Sequence, residues 1–339
     1  MKVERLKTRG YEKVFRIEDA DSDLVGFVAI HSTKRGPALG GTRFWEYASE
    51  KEALQDALKL ARTMSYKAAI ANLACGGGKG VLIASPGANR GRMFRKYAEF
   101  VETLKGEFVT GRDAGATLDD LAEMQELTSY VVDESPDEYG NLNEATALGV
   151  FHGMRACLAH AYPDETFLNR RVVIQGVGGV GLALAKMLRW GGARLVASDL
   201  IPEKVVMAAR EASAAVIHPY GLYDVQCDVF SPCALGGVIN HETIPRLKCA
   251  IICGSANNQL ENDEMGEAIF KQEMIYAPDY VVNAGALIQG ANYYLHRKQD
   301  NRAEIIAIYS STFEVLKAAE DEGLPANLVA DRIARSRLK

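Results

Sequence analysis

Two groups of residues have types and spacings that suit chemistry. The first is Gly176-Val177-Gly178-Gly179-Val180-Gly181, a G-x-G-x-x-G run behind the apolar Val172-Val173-Ile174 and ahead of Leu182, Leu184, Ala185 and Leu188. A strand that feeds such a turn and then a helix is the context in which this pattern binds a dinucleotide. The first glycine allows the tight turn, the second lets the backbone approach a pyrophosphate, and the third lets helix and strand pack closely. The free N–H groups and dipole of the helix start attract the phosphates. Asp199 ends the next apolar run, Ala193 to Ser198, where a ribose-binding carboxylate belongs. A carboxylate there accepts hydrogen bonds from both ribose hydroxyls and repels a 2′-phosphate, which favours NAD over NADP.

The second group is Lys67, Lys79 and Asp113. Lys67 stands among small and apolar residues in Met64-Ser65-Tyr66-Lys67-Ala68-Ala69, unusual for a solvated lysine. Lys79 follows Gly76-Gly77-Gly78, read as a glycine loop whose backbone can bring an ammonium close to a ligand. It is not a phosphate-binding Walker loop, because Leu73 stands where its first glycine belongs and Gly80 replaces the metal-binding hydroxyl. Asp113, between Gly111 and Gly115 and after Phe108-Val109, suits a strand end facing a cleft. Taken alone, the lysines also read as a surface pair and Asp113 as a turn aspartate bonding its own backbone.

Positioning these groups takes two folding units. Strands are predicted at Val14–Ile17, Leu24–Ile30 and Val81–Ala84, the last stopped by Ser85-Pro86. Ser49 with Glu52 predicts a capping box opening a helix through Leu54, Leu58 and Ala61, and Thr117 with Asp120 predicts a second helix start. The polar stretch 133–141 has the composition of an interdomain connection. A helix over 147–161 follows, and then strands alternate with helices: Gly191-Gly192 ends one helix, Pro202 begins another, and Ile251-Ile252 and Tyr280-Val281-Val282 read as strands. Alternation of this kind predicts an α/β protein with a parallel, doubly wound dinucleotide-binding sheet. Residues from about 303 read as helical, with Ile305, Ile306, Ile308, Phe313, Leu316 and Leu324 available for packing.

Composition narrows the function classes. At 339 residues two domains are the default, and 48% hydrophobic with 24% charged residues is a globular profile. A formal net charge of −5 gives no reason to expect nucleic acid or an anionic membrane as partner. No apolar run approaches the roughly 20 residues that cross a bilayer, and the charged N-terminal residues lack an apolar signal core. A cytoplasmic enzyme is therefore expected. The six cysteines form no C-x-x-C pair and no metal-ligand spacing with histidine, so free thiols and no metal are expected. His31 and His152 read as structural.

Several blocks together resemble the leucine/phenylalanine/valine branch of the glutamate dehydrogenase-like superfamily. Pro37-Ala38-Leu39-Gly40-Gly41-Thr42-Arg43, the Lys67 block and Gly76-Gly77-Gly78-Lys79 are similar to its first domain. Ser231-Pro232-Cys233-Ala234-Leu235-Gly236, Gly254 to Leu260 and Tyr276 to Gly285 are similar to its second. The likeness covers nearly the whole chain, in order. It implies a substrate, catalytic and oligomerisation domain of residues 1–140 with about 321–339, a Rossmann NAD-binding domain of 141–320, and a catalytic cleft between them. It implies NAD-dependent oxidative deamination of a hydrophobic L-amino acid to a 2-oxo acid, ammonium and NADH, with a homo-oligomer, at least a dimer, as the working form.

By position, Lys67 resembles the lysine that takes the substrate carboxylate, Lys79 the catalytic lysine that assists water attack on the oxidised carbon, and Asp113 the acid that moves protons. Gly40 and Gly41 match the tight turn beside the substrate, and Thr146 and Asn258 match positions near the nicotinamide carboxamide. Leu200, Cys233, Ala234 and Asn283 complete the implied cofactor contacts.

The family's side-chain pocket corresponds to Leu39, Gly111, Leu287 and Gly290. Glutamate-specific relatives carry a lysine where Leu39 stands, so a γ-carboxylate would be left unpaired. The leucine-specific pattern has alanine at Gly111 and valines at Leu287 and Gly290. Two glycines here imply an aromatic substrate, phenylalanine or tryptophan, ahead of leucine, with activity spread over several hydrophobic amino acids.

The chain departs from the pattern at Glu144, often proline, at Ala286, often glycine, and in Gly290-Ala291-Asn292-Tyr293-Tyr294, which lacks the usual acid. It stops at Lys339, where relatives commonly carry a longer tail, which suggests an oligomer smaller than the octamers of the leucine branch. Two rivals are weaker. A non-catalytic NAD sensor has no use for Lys67, Lys79 and Asp113 together, and a 2-hydroxy-acid dehydrogenase needs a His/Arg pair that has no motif context here.

Overall fold

The computed structural model describes residues 1–85, 87–132 and 140–338. Pro86 and most of the expected connection (133–139) therefore lie outside the described residues. The chain divides into two compact units, 1–140 with 290–299 and 334–339, and 141–289 with 300–333.

Unit 1 is built on a mixed sheet. Its elements in chain order are β1 (Lys2–Arg5), β2 (Lys13–Asp19), β3 (Leu24–Ser32), β4 (Ala38–Leu39), β5 (Thr42–Trp45), α1 (Glu50–Ile70), β6 (Gly76–Ile83), α2 (Arg90–Thr103), β7 (Phe108–Val109) and α3 (Leu118–Gln125). The sheet order is β1-β2-β3-β6-β4-β7, with β5 also on β6. β2, β3 and β6 run antiparallel, whereas β4 and β5 run parallel to β6. Phe94, Tyr97, Phe108 and Met124 fill the core on one side, and Ala53, Ala57 and Ala61 of α1 pack with Phe27 and Val81 on the other.

The Gly76–Gly78 triplet is strand, not the loop expected from its composition. Each glycine is there because a neighbour is too close for a side chain. A Cβ on Gly76 would lie 1.8 Å from the Ser32 carbonyl oxygen, one on Gly77 2.0 Å from the Ser65 nitrogen of α1, and one on Gly78 2.7 Å from the Phe108 ring. The Ser49 cap accepts from the Glu52 N–H as expected, but Glu52 returns its carboxylate to the Ala48 N–H rather than to Ser49. The box at Thr117 and Asp120 closes in both directions.

Unit 2 is a Rossmann sheet flanked by helices. Its elements are α4 (Leu142–Ala161), β8 (Arg171–Gln175), α5 (Gly179–Trp190), β9 (Arg194–Ser198), α6 (Pro202–Ala212), β10 (Ala215–Val216), β11 (Val229–Pro232), β12 (Ile251–Ile252), α7 (Glu264–Lys271), β13 (Ile275–Tyr276), α8 (Asp279–Val282), α9 (Gly285–His296), α10 (Arg302–Ile306), α11 (Ile308–Glu322) and α12 (Ala326–Arg337). The described strands run parallel in the order β10-β9-β8-β11-β12-β13. The order reverses beside β8, between β9 and β11, which is where open α/β sheets bind ligands.

The segment Tyr280-Val281-Val282, expected as a strand, is helical. Pro278 and Asp279 decide it. The Val281 N–H donates to the Pro278 carbonyl (3.0 Å), and Asp279 Oδ1 accepts from the Tyr280 N–H (2.6 Å). A buried apolar run fits either state, and the start signal in front of it selects the helix.

Unit boundaries also differ from the expected 321–339 and 141–320. Residues 321–333 belong to unit 2, whereas 290–299 at the end of α9 belong to unit 1. Within unit 1 the last residues are tied to α1. Arg335 Nε donates to the Tyr66 hydroxyl (2.8 Å), and Arg337 donates to the Ile70 carbonyl (2.9 Å).

Candidate active site

In unit 1 the site is assembled by strand register. β4 and β5 both pair with β6, Leu39 opposite Gly77 and Thr42 opposite Gly80, so Gly40 and Gly41 pass beside Gly78 and Lys79. The passage admits no side chain. A Cβ on Gly40 would lie 1.8 Å from the Gly78 carbonyl oxygen, and one on Gly41 2.5 Å from that of Arg112. On their other edge the same residues hold the segment that carries Asp113. The Gly40 N–H donates to Val109 (3.1 Å), Thr42 to Gly111 (2.8 Å) and Phe44 to Ala114 (3.0 Å).

Neighbouring strands thereby bring Lys79 and Asp113 into contact, Nζ to Oδ2 at 3.1 Å. Lys79 is 4% exposed, so its ammonium is shielded from water and directed at a carboxylate. Arg43 of β5 donates from Nε to the same Asp113 oxygen (2.9 Å) and from Nη1 to Asp56 of α1 (2.8 Å). Tyr47 donates its hydroxyl to that Asp56 oxygen (2.6 Å). Burial alone would raise the Asp113 pKa, but the Lys79 and Arg43 charges outweigh it and hold the carboxyl down at about 2. For Arg43, burial opposes the charge, and Asp113 and Asp56 outweigh it, leaving its pKa raised.

Lys67 is also buried, 8% exposed on the last turn of α1, just beyond the Ser65 that packs on Gly77. Leu39 is fully enclosed. Among the described residues, the atoms within 4 Å of a Cβ built on Gly111 belong to Val132 (3.5 and 3.9 Å), and the same is true of Gly290 (3.7 Å). Unlike the packing glycines, these two would hold a Cβ at ordinary van der Waals distance, and Val132 stands against both.

In unit 2 the glycine loop makes a tight turn into α5. Gly176 has φ +89° and abuts Ala234, to which a Cβ would come within 2.6 Å. A Cβ on Gly181 would lie 2.1 Å from the Gly176 carbonyl oxygen, which is the close helix–strand approach. At Gly178 the one atom among the described residues within 4 Å of a built Cβ is Lys204 Nζ, at 3.9 Å, the end of a flexible side chain. Gly179 starts α5 against the Asn143 amide, and Val180 follows half-buried.

Asp199 holds this loop, its Oδ2 accepting from the Val177 N–H (2.9 Å) and its Oδ1 from the Ile201 N–H (3.0 Å). Leu200 beside it is 81% exposed. Across the switch point Cys233 donates its N–H to the Gln175 carbonyl (2.7 Å) and Ala234 is exposed.

Asn283 donates to the Ser255 carbonyl (3.1 Å) and to Asn257 Oδ1 (2.8 Å), while its own Oδ1 is buried with no partner among the described residues. Asn258 sits in the left-handed region at φ +52° on the loop after β12. Thr146 is buried on α4, close to Gly285 of α9, where a Cβ would come within 2.9 Å of the Thr146 nitrogen. Leu287 is half-buried on α9.

A Gly178 with only a flexible side-chain end near it among the described residues, a fixed carboxylate at Asp199 and an unpaired amide oxygen at Asn283 fit a dinucleotide. Sequence reading did not assign Arg43, Asp56, Asn143, Lys204 or Val132. Only Arg43 left a signal, as the charged last residue of the glycine block.

Comparison with known proteins agrees with this geometry. Residues 12–134 match the dimerisation-domain model of the Glu/Leu/Phe/Val dehydrogenases, and 202–304 match the Glutamate/Leucine/Phenylalanine/Valine dehydrogenase model. The chain is 42% identical to a leucine dehydrogenase of Thermoactinomyces intermedius, over 97% of this chain and 91% of that one. It is 37% identical to an L-tryptophan dehydrogenase of Nostoc punctiforme, over 99% and 95%. The crystal structure of L-tryptophan dehydrogenase from Nostoc punctiforme matches with a TM-score of 0.85, 37% identity, and coverage of 97% of this chain and 96% of that one. The chain belongs to the Glu/Leu/Phe/Val dehydrogenase family and is an enzyme of its hydrophobic amino acid branch.

Proposed function

We propose that this enzyme reversibly deaminates a hydrophobic L-amino acid with NAD, and that its preferred substrate is aromatic. The observation that carries the reaction is the buried Lys79–Asp113 pair, set beside the Gly40-Gly41 passage at the family's catalytic positions.

A bound nicotinamide dinucleotide supplies the acceptor for the hydrogen leaving Cα. Gly178 and Gly179 with the start of α5, Asp199, Leu200, Thr146, Asn258 and Asn283 would hold it, and Lys204 would add a cation for the pyrophosphate. The choice of NAD rests on Asp199. Its carboxylate is fixed by two backbone donors, has capacity left for ribose hydroxyls, and opposes a 2′-phosphate.

Lys67 takes the substrate α-carboxylate. Lys79 assists water addition at the oxidised carbon, and Asp113 moves protons to and from the leaving nitrogen. The aromatic preference rests on Gly111 and Gly290, which put no side chain of their own against Val132, and on Leu39, which offers no counter-charge to a glutamate side chain. A branched aliphatic substrate is the second reading, favoured by the 42% identity to a leucine dehydrogenase. Assembly as a homo-oligomer, at least a dimer, accords with the matched dimerisation-domain model, and a cytoplasmic setting accords with six free thiols.

The test is ammonium-dependent NADH oxidation over a panel of 2-oxo acids. Phenylpyruvate and indolepyruvate are expected to exceed 4-methyl-2-oxopentanoate in kcat/KM. Lys79→Ala is expected to lose about 10²–10⁴-fold in kcat while still binding NADH. Oxidation that ignores ammonium, or a Lys79→Ala enzyme at full rate, would sink the reading. A lead for 4-methyl-2-oxopentanoate would select the aliphatic alternative.

A further inference from the structure

Asp113 is held from two sides, and only one side belongs to the reaction described above. Lys79 of β6 approaches Oδ2 at 3.1 Å, and Arg43 of β5 donates Nε to that same oxygen at 2.9 Å. Among the described residues Oδ1 accepts no hydrogen bond. Arg43 is itself fixed, because its Nη1 donates to Asp56 of α1, which also takes the Tyr47 hydroxyl. The strand around it is laced to the Asp113 segment through Thr42 to Gly111 and Phe44 to Ala114. Among the described residues, the charged and titratable groups around Asp113 are thus Lys79, Arg43 and, behind Arg43, Asp56 and Tyr47, with the exposed Arg112 next in the chain.

We propose that Arg43 is a positioning residue for catalysis: anchored on Asp56, its guanidinium clamps Asp113 by Oδ2 and leaves Oδ1 as the oxygen presented to the substrate nitrogen. The proposal rests on the reading of Asp113 as the proton-handling acid. It assigns a reason for arginine rather than lysine. A planar fork bonds two carboxylates at once along fixed directions, whereas an ammonium is a point charge on a flexible stem. The same clamp adds to Lys79 in keeping the carboxyl ionised against its burial. Without it Asp113 can rotate about Lys79, and the oxygen that should meet the substrate is no longer fixed.

A double-mutant cycle on the full-length enzyme tests this. Arg43→Ala is expected to lower kcat about 100-fold, the scale of an ångström-sized misplacement. KM for the 2-oxo acid is expected to stay within about two-fold, because Arg43 contacts neither ligand in this assignment. Arg43→Lys should recover only a small part, and added guanidinium, but not sodium chloride at equal ionic strength, should restore part of the Arg43→Ala rate. In an Asp113→Asn background, Arg43→Ala should cost nothing further, since the residue it acts through is already gone.

An Arg43→Ala enzyme with wild-type kcat, or one that loses the same factor in both backgrounds, overturns the proposal. Should Arg43→Ala fail to fold, the cycle is run with Arg43→Lys and read the same way. If Asp113→Asn itself turns over at the full rate, the reading of the site fails, and that outcome is distinct from failure of the clamp.

Discussion

His31 shows how a single side chain carries a consequence for the whole protein. It lies edge-on to Tyr11 and Tyr66, with ring centroids at 5.1 and 5.9 Å, and its Nδ1 is buried with no partner among the described residues. Burial, helped by Arg62, lowers its pKa to about 4, from an ordinary value of about 6.5. In the fold it stays neutral while the unfolded chain takes up a proton, so stability falls as pH drops from about 6.5 through 4. Asp113, also depressed, loses its contribution only further down, below the ordinary carboxylate value of about 3.9 and toward 2. His31→Phe is therefore expected to flatten the stability loss between pH 6.5 and 4 seen in urea unfolding, and an unchanged slope would show that His31 does not set it.

Candidate site residues were legible when their spacing carried the signal, as at Gly176, Gly178, Gly181 and Asp199, or when a block resembled a family, as at Lys79 and Asp113. Val132 and Asp56 left no such mark, because their partners (Gly111 and Gly290, Arg43) meet them only through the fold.

β6 and α1 carry Lys79 and Lys67, and a close contact holds the two elements together, with the Ser65 hydroxyl donating to the Gly77 carbonyl (3.4 Å). Ser65 of α1 sits directly over Gly77 of β6, so that a methyl there would lie 2.0 Å from the Ser65 nitrogen and 2.5 Å from its Oγ. Neither backbone can yield easily, since α1 is packed along the sheet through Ala53, Ala57 and Ala61. Gly77→Ala is expected to destabilise unit 1 by about 3 kcal/mol, the upper range for overpacking, and to raise KM for the amino acid by displacing Lys67 from Lys79. Denaturation midpoints and steady-state kinetics on the same variant check both, and a variant with wild-type values in each would remove the contact from the argument.

Composition alone suggested a loop here, because glycine runs are usually turns. The triplet is strand because three different neighbours close on it, and that information is tertiary. Where start signals are local, at Ser49, Thr117 and Pro202, the elements are readable, and at Tyr280-Val281-Val282 the apolar pattern misleads because Pro278 and Asp279 in front of it start a helix.

For the molecule as a whole, alternation of strands and helices announced a doubly wound sheet, whereas the strand order and the assignment of 290–299 to unit 1 depend on packing that no local pattern encodes. Gly290 lies against Val132, and Tyr294 interacts with Tyr130, so the end of α9 takes its place in unit 1 through its neighbours. The order β10-β9-β8-β11-β12-β13 puts the glycine loop and Cys233-Ala234 at the reversal, and Asp199 at the end of β9 next to it. A dinucleotide held there binds the folded sheet and not the unfolded chain, so it stabilises by mass action, by about 2.7 kcal/mol at one hundred times its dissociation constant.

Amide hydrogen exchange in β8 and β9 reads this directly, since these buried strands open only with the sheet. NADH at that concentration is expected to slow their exchange by roughly 100-fold, and NADPH at the same concentration to slow it far less, because Asp199 opposes the added phosphate. Equal protection by both cofactors would mean that the carboxylate does not discriminate, and the proposed preference for NAD would fall with it.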